Sequence, residues 1–194
     1  MNKAREFDQS VVTELRALLG DRVSTSAAVR EHHGKDESYF PYALPDVVVF
    51  AKTTEEVRDI VNICRQHRVP MIPYGVGTSL EGHILAVQGG VCIDLSQMNR
   101  VLEVNDADLD CRVQAGVTRE QLNAELKGSG LFFPIDPGAN ATLGGMASTR
   151  ASSCSTTCRW ARASPTRSSK ATRRSRRCSS SSTARATACA SRWR

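Results

Sequence analysis

The residues with the clearest chemical potential lie in one stretch, Pro73-Tyr-Gly75-Val-Gly77-Thr78-Ser79-Leu80-Glu81-Gly82-His83. Three glycines and two hydroxyls fall within a single turn. Glycine lacks a Cβ, so the backbone can take positive φ and lie directly against a ligand. Successive N–H groups in such a turn form a nest for an anion, and Thr78 and Ser79 add hydroxyl donors. The chemistry this suits is the cradling of phosphate. The spacing is G-x-G-x-x-x-x-G, which is not the G-x-G-x-x-G of a dinucleotide-binding turn. It is not a Walker A loop either, because His83 and Ile84 follow Gly82 where Lys and Ser/Thr would stand. A plain structural turn is the alternative reading.

Asp136-Pro137-Gly138-Ala139-Asn140-Ala141-Thr142-Leu143-Gly144-Gly145-Met146-Ala147-Ser148 is a second stretch poor in side chains. It would let a flat ligand pass close to backbone, or it serves tight packing against another element. His32-His33, ahead of Gly-Lys-Asp36-Glu37-Ser38-Tyr39, reads as a solvated polar loop, with a metal or catalytic cluster as the alternative. His83 reads as structural rather than catalytic.

The elements that would position these residues follow from periodicity. Val11, Val12, Leu15, Leu18 and Leu19 predict a helix over 7–19, stopped by Gly20. A short helical turn is expected within 25–34. Val47–Phe50 is a continuous apolar run and predicts a buried strand. Thr53, Glu55 and Glu56 open a helix running to about residue 67, with Val57, Ile60, Val61 and Cys64 inward. Val69–Ile72 predicts the next strand, forming a parallel β-α-β unit that places the first glycine turn at a strand's carboxyl end. Further strands are expected at 90–95, 99–105 and 110–115. A helix is expected over 117–128, capped by Thr118, with Leu122 and Leu126 inward.

Composition divides the 194-residue chain. The net charge is +6, but residues 151–194 hold ten Arg and one Lys with no Asp or Glu. The rest is mildly acidic, so the basic balance describes the tail alone. Cys64, Cys92 and Cys111 lie in apolar contexts and read as reduced, buried thiols. Cys154 and Cys158 have loose zinc spacing but no second ligand pair at a suitable distance, so no metal site is expected. No apolar run approaches the ~20 residues needed to cross a bilayer. The first ten residues lack a signal-peptide core, and a cytoplasmic location is the expectation.

Taken together, Pro73–His83, Val117-Thr-Arg-Glu-Gln-Leu122 and Asp136–Ser148 resemble the FAD-linked 2-hydroxy-acid oxidases and dehydrogenases of the vanillyl-alcohol-oxidase type, including the flavin D-lactate dehydrogenases. His33-Gly-Lys-Asp36-Glu37-Ser38 ahead of Pro45-Asp-Val-Val resembles their N-terminal signature. The likeness covers residues 10–152. It implies an α+β fold, a PCMH-type FAD-binding domain of two α/β subdomains, incomplete at the C-terminus. The implied organisation is an N-terminal helical segment over 1–40, a partial FAD-binding domain over 41–152, and an Arg/Ser-rich tail over 153–194. By that resemblance Pro73, Gly75, Gly77, Thr78, Ser79, Leu80 and Gly82 hold the FAD pyrophosphate. Pro137, Gly138, Thr142, Gly144, Gly145 and Ser148 line the path of the adenosine and ribityl parts. Some relatives carry a flavin-linked His where Thr78 stands, so FAD is expected to be non-covalent. The implied reaction is oxidation of a D-2-hydroxy acid, of the D-lactate or glycolate type, with hydride transfer to flavin. The implied partners are that small acid and an electron acceptor, with peripheral attachment to the inner membrane as an option and no nucleic acid. Catalytic residues and a divalent metal belong, in the family, to a later substrate half.

The likeness stops at Ala151-Ser152. The tail has no Gly, Val, Ile, Leu, Met, Phe or Tyr and cannot bury enough apolar area to order itself. A reading-frame change near codon 152 is the expectation, which would leave the chain unstable and inactive by itself. The alternative is an α/β nucleotide-binding module with an Arg/Ser arm for nucleic acid.

Overall fold

A computed structural model describes residues 7–151 and the backbone of residues 161–162. The readings of the Arg/Ser-rich tail, including Cys154 and Cys158, fall outside the described residues apart from that short strand.

The first lobe is a four-stranded sheet with helices on both faces. Its strands are β1 (Val23–Ser24), β2 (Val47–Phe50), β3 (Met71–Tyr74) and β4 (Val91–Asp94), in the order β1-β2-β4-β3. Strand β1 is antiparallel to β2, while β2 and β3 both run parallel to β4. The valine-rich run in β2 is buried on both faces, as parallel strands are. Val47, Val49, Val91 and Ile93 face α1 (Gln9–Leu19) and α3 (Thr54–Gln66), meeting Val11, Leu15, Ile60 and Cys64. Val48, Cys92, Ile72 and Tyr74 face the other way, towards Ile84 and Ala86 and towards α2 (Ala27–His33) through Val29.

Helix α3 starts where its capping residues require. Thr53 Oγ1 accepts from Glu56 N, and the Glu56 carboxylate accepts from Lys52 N. Arg22 clamps the same carboxylate with two hydrogen bonds of 2.7 and 2.6 Å and donates to Phe50 O, tying the helix start to the end of β2.

The second lobe contains the hairpin β5 (Val101–Asn105) and β6 (Asp110–Val113), α4 (Arg119–Leu126), β7 (Leu131–Phe132) and α5 (Leu143–Thr149). Val117, Leu122, Leu126, Leu131, Phe133 and Met146 form its core. Backbone of β7 pairs antiparallel with β8 (Ala161–Arg162).

The two-lobed α+β architecture agrees with the expectation, and four local expectations are corrected. Strands β2 and β3 are not neighbours, because β4 inserts between them. Strand β3 lies two residues later than expected: Val69 N still closes on Cys64 O at the helix end, and pairing begins at Met71. The second glycine stretch is only partly a turn, since Leu143–Thr149 is helical. His33 is not in a solvated loop but buried at the end of α2.

Candidate functional site

The first glycine turn leaves β3 at its carboxyl end, where open α/β sheets place their ligands. Gly77 and Gly82 take φ of 71° and 72°, backbone that non-glycine residues rarely adopt. No backbone N–H from Val76 to Ile84 donates to another group among the described residues. Backbone donors left in that state are satisfied by water or by a ligand. Thr78 and Leu80 are exposed and Ser79 half-buried, so the turn presents backbone and hydroxyls outward. It contains no Lys or Arg. A donor set of this kind fits a pyrophosphate held by N–H dipoles.

Gly75 has a different reason to be glycine. A Cβ there would lie 2.5 Å from Thr142 Oγ1. The second glycine stretch therefore meets the first at this point, with β3 of one lobe against the start of α5 in the other. Thr142 is buried, and its hydroxyl also caps α5 by accepting from Gly145 N. Within the second stretch several backbone donors are already paired inside the second lobe. Gly138 N donates to Asp136 Oδ1, Leu143 N to Val117 O and Gly144 N to Ala115 O. A Cβ on Gly144 would come within 2.8 Å of Ala115 Cβ. Ser148 Oγ donates to Gly144 O within its own helix, and Pro137 sits half-buried in the preceding turn. Pro73 pairs in register with Ile93 in the sheet, and His83 is exposed.

The sequence reading passed over Arg119, Asp94 and the role of His33. Arg119 opens α4, with Nη1 3.3 Å from Asp136 Oδ2 and a buried Nε that has no partner among the described residues. His33 Nδ1 donates to Val29 O at 2.8 Å, and Nε2 lies 2.8 Å from Asp94 Oδ2. Both residues are buried, and Asp94 Oδ1 accepts from Ser96 N. Desolvation opposes charge on His33, but its hydrogen bonds to Asp94 and Val29 outweigh that and raise its pKa above the ordinary value. Burial likewise favours a neutral Asp94, yet hydrogen bonds from His33 and Ser96 hold it below the usual carboxylate range. Both shifts favour an imidazolium beside a carboxylate. The pair's signal in the sequence is a charged residue closing the buried run Val91–Asp94.

Residues 45–161 match the family model described as an FAD binding domain. The chain belongs to this family. A probable mitochondrial D-lactate dehydrogenase of Danio rerio is 50% identical over 145 residues, covering 74% of this chain and 29% of that protein. A mitochondrial D-lactate dehydrogenase (cytochrome) of Arabidopsis thaliana is 43% identical over 150 residues, covering 76% of this chain and 26% of that protein. Among solved structures, an alkyldihydroxyacetonephosphate synthase superposes with a TM-score of 0.67 at 27% identity, covering 74% of this chain and 32% of its own. A substrate-bound p-cresol methylhydroxylase superposes with a TM-score of 0.63 at 26% identity, covering 68% and 27% respectively. These likenesses bear out the resemblance to flavin D-lactate dehydrogenases and to the vanillyl-alcohol-oxidase type. The FAD-binding chain spans less than a third of the length of these curated relatives.

Proposed function

We propose that this chain is the FAD-binding part of an oxidoreductase that converts a D-2-hydroxy acid, of the D-lactate or glycolate type, to its 2-oxo acid. The observation that carries the cofactor half of this reading is the turn at the end of β3: a run of uncommitted N–H groups at Val76–Ile84, floored by Gly75 against Thr142. The names of the relatives support the substrate half.

Bound FAD would supply the hydride acceptor for the substrate carbon. The residues of this chain bind and orient it. The N–H groups of Gly77 to Gly82, with Thr78 and Ser79, take the pyrophosphate. Pro137, Gly138, Thr142, Gly144, Gly145 and Ser148 border the path on the opposite lobe. Thr78 has no nucleophilic nitrogen, which supports non-covalent binding. The groups that hold the substrate carboxylate and take its hydroxyl proton, together with a divalent metal, belong in the family to a later substrate half that the matched residues do not include, so the chain is expected to be inactive by itself.

Reconstitution tests the reading. The full chain, incubated with FAD and desalted, is expected to keep visible flavin absorbance, to release all of it on acid precipitation, and to reduce no dye with D-lactate. A Gly77→Val chain is expected to keep none, because the new Cβ would lie 2.5 Å from Tyr74 Oη at a positive φ. Equal retention by wild type and Gly77→Val, or none by wild type, would remove the cofactor assignment.

A further inference from the structure

We infer that His33 is a positioning residue for the phosphate-binding turn: paired with Asp94, it fixes the Tyr74 ring on which Gly77 rests, so the turn keeps its shape only while the pair keeps its shared proton. The consequence for flavin rests on the reading above; the consequence for the turn does not.

The geometry requires the proton. Val29 O can only accept, so His33 Nδ1 carries hydrogen. Asp94 Oδ2 is 2.8 Å from Nε2, a distance that needs a second proton between them. Without it, a ring lone pair would face a carboxylate oxygen in a buried site, and the contact would open.

From that pair the packing leads directly to the turn. Asp94 is the register partner of both Phe50 and Tyr74, so the three side chains share one face at the carboxyl end of the sheet. The His33 ring lies on that face, 4.4 Å from the Tyr74 ring and edge-on to Phe50 at 5.9 Å. The Tyr74 hydroxyl in turn occupies the space a Cβ on Gly77 would need. A shift of His33 is thus passed through one ring to the turn.

Among the described residues the titratable groups facing the pair are His32 on its own helix, Tyr74 on β3 and Cys92 beside Asp94 on β4, while β2 presents the apolar Phe50 there. Burial raises the pKa of Tyr74 and pushes Cys92 up to about 12, so both stay neutral where His33 titrates. His32, exposed and 5.2 Å from His33 between ring centres, is the group to control for.

The test is FAD affinity of the full chain from about pH 6 to about pH 9, read by equilibrium dialysis. It is paired with the amide NMR shift of Gly77 in the flavin-free chain over the same range. Wild type is expected to lose affinity about tenfold or more towards high pH, with the Gly77 signal following the His33 titration. Asp94→Asn should flatten both curves, because its amide can donate to a neutral Nε2 while its oxygen still accepts from Ser96 N. His32→Gln should leave both slopes as in wild type. A Gly77 signal blind to the His33 titration, or an Asp94→Asn slope equal to wild type, overturns the inference. A Gly77 signal that follows His33 in a chain that binds no FAD sustains the positioning role and removes the flavin reading instead.

Discussion

A Cβ on Gly75 would lie 2.5 Å from Thr142 Oγ1 but 3.6 Å from Thr142 Cβ, so the conflict is with the hydroxyl alone. Gly75→Ala is therefore expected to destabilise the protein by about 1–3 kcal/mol. Thr142→Ala loses a helix cap and is expected to cost about 0.5–2 kcal/mol. The two should not add: in the Thr142→Ala background, Gly75→Ala becomes nearly neutral, because its methyl then meets only ordinary contact. Urea midpoints of the four proteins in a double-mutant cycle measure this coupling, and additive losses would show that the lobes do not meet at this point. The sequence made Gly75 stand out as glycine without giving the cause, because a close approach between residues 67 positions apart leaves no local trace. His33 was hidden for a related reason. A histidine next to Gly, Lys, Asp and Glu reads as solvated, and only the distant Asp94 turns it into an interior residue. The pair also has a stability window. The raised pKa of His33 gives stabilisation that is full below its ordinary value and lost as pH rises through the folded one. The lowered pKa of Asp94 gives stabilisation present above its ordinary value and lost as pH falls through the folded one.

Helix α3 was legible in full because its signals are local: Thr53 at the cap, acids in the first turn, and apolar residues three and four apart. The order of the strands was not, since a continuous apolar run says that a strand is buried without naming its neighbours. Helix α5 was missed because Gly144 and Gly145 are poor helix formers; Thr142 and packing against Ala115 override that propensity. Glu56 carries the testable energetics at this scale. Its hydrogen bonds with Arg22, and further bonds from Lys52 and Thr53, lower its pKa to about 2 from an ordinary 4.5. The stabilisation is then complete above the ordinary value and disappears as pH falls towards about 2. Glu56→Gln is expected to cost about 1–3 kcal/mol at neutral pH. The difference from wild type should shrink on acidification, as followed by urea unfolding at successive pH values; a constant difference would assign the effect to packing instead.

Across the whole molecule there are three apolar clusters, one on each face of the first lobe's sheet and one in the second lobe, and the lobes approach each other where Gly75, just past β3, meets Thr142 at the start of α5. A ligand contacting both lobes favours the folded chain by mass action. At a free FAD concentration of one hundred times Kd the gain is about 2.7 kcal/mol, visible as a rise in Tm that should be absent in Gly77→Val. The tail and the question of reading frame lie outside the described residues. The family, by contrast, was legible through the resemblance carried by Pro73–His83, Val117–Leu122 and Asp136–Ser148 together, and the α+β class through the alternation of buried strands and amphipathic helices.

Thr142 is fastened to its own helix through the same oxygen that rests on Gly75. The cap of α5 and the close approach to Gly75 thus depend on one hydroxyl. A side chain placed at position 75 would therefore be felt at the first turn of a helix 67 residues further along the chain.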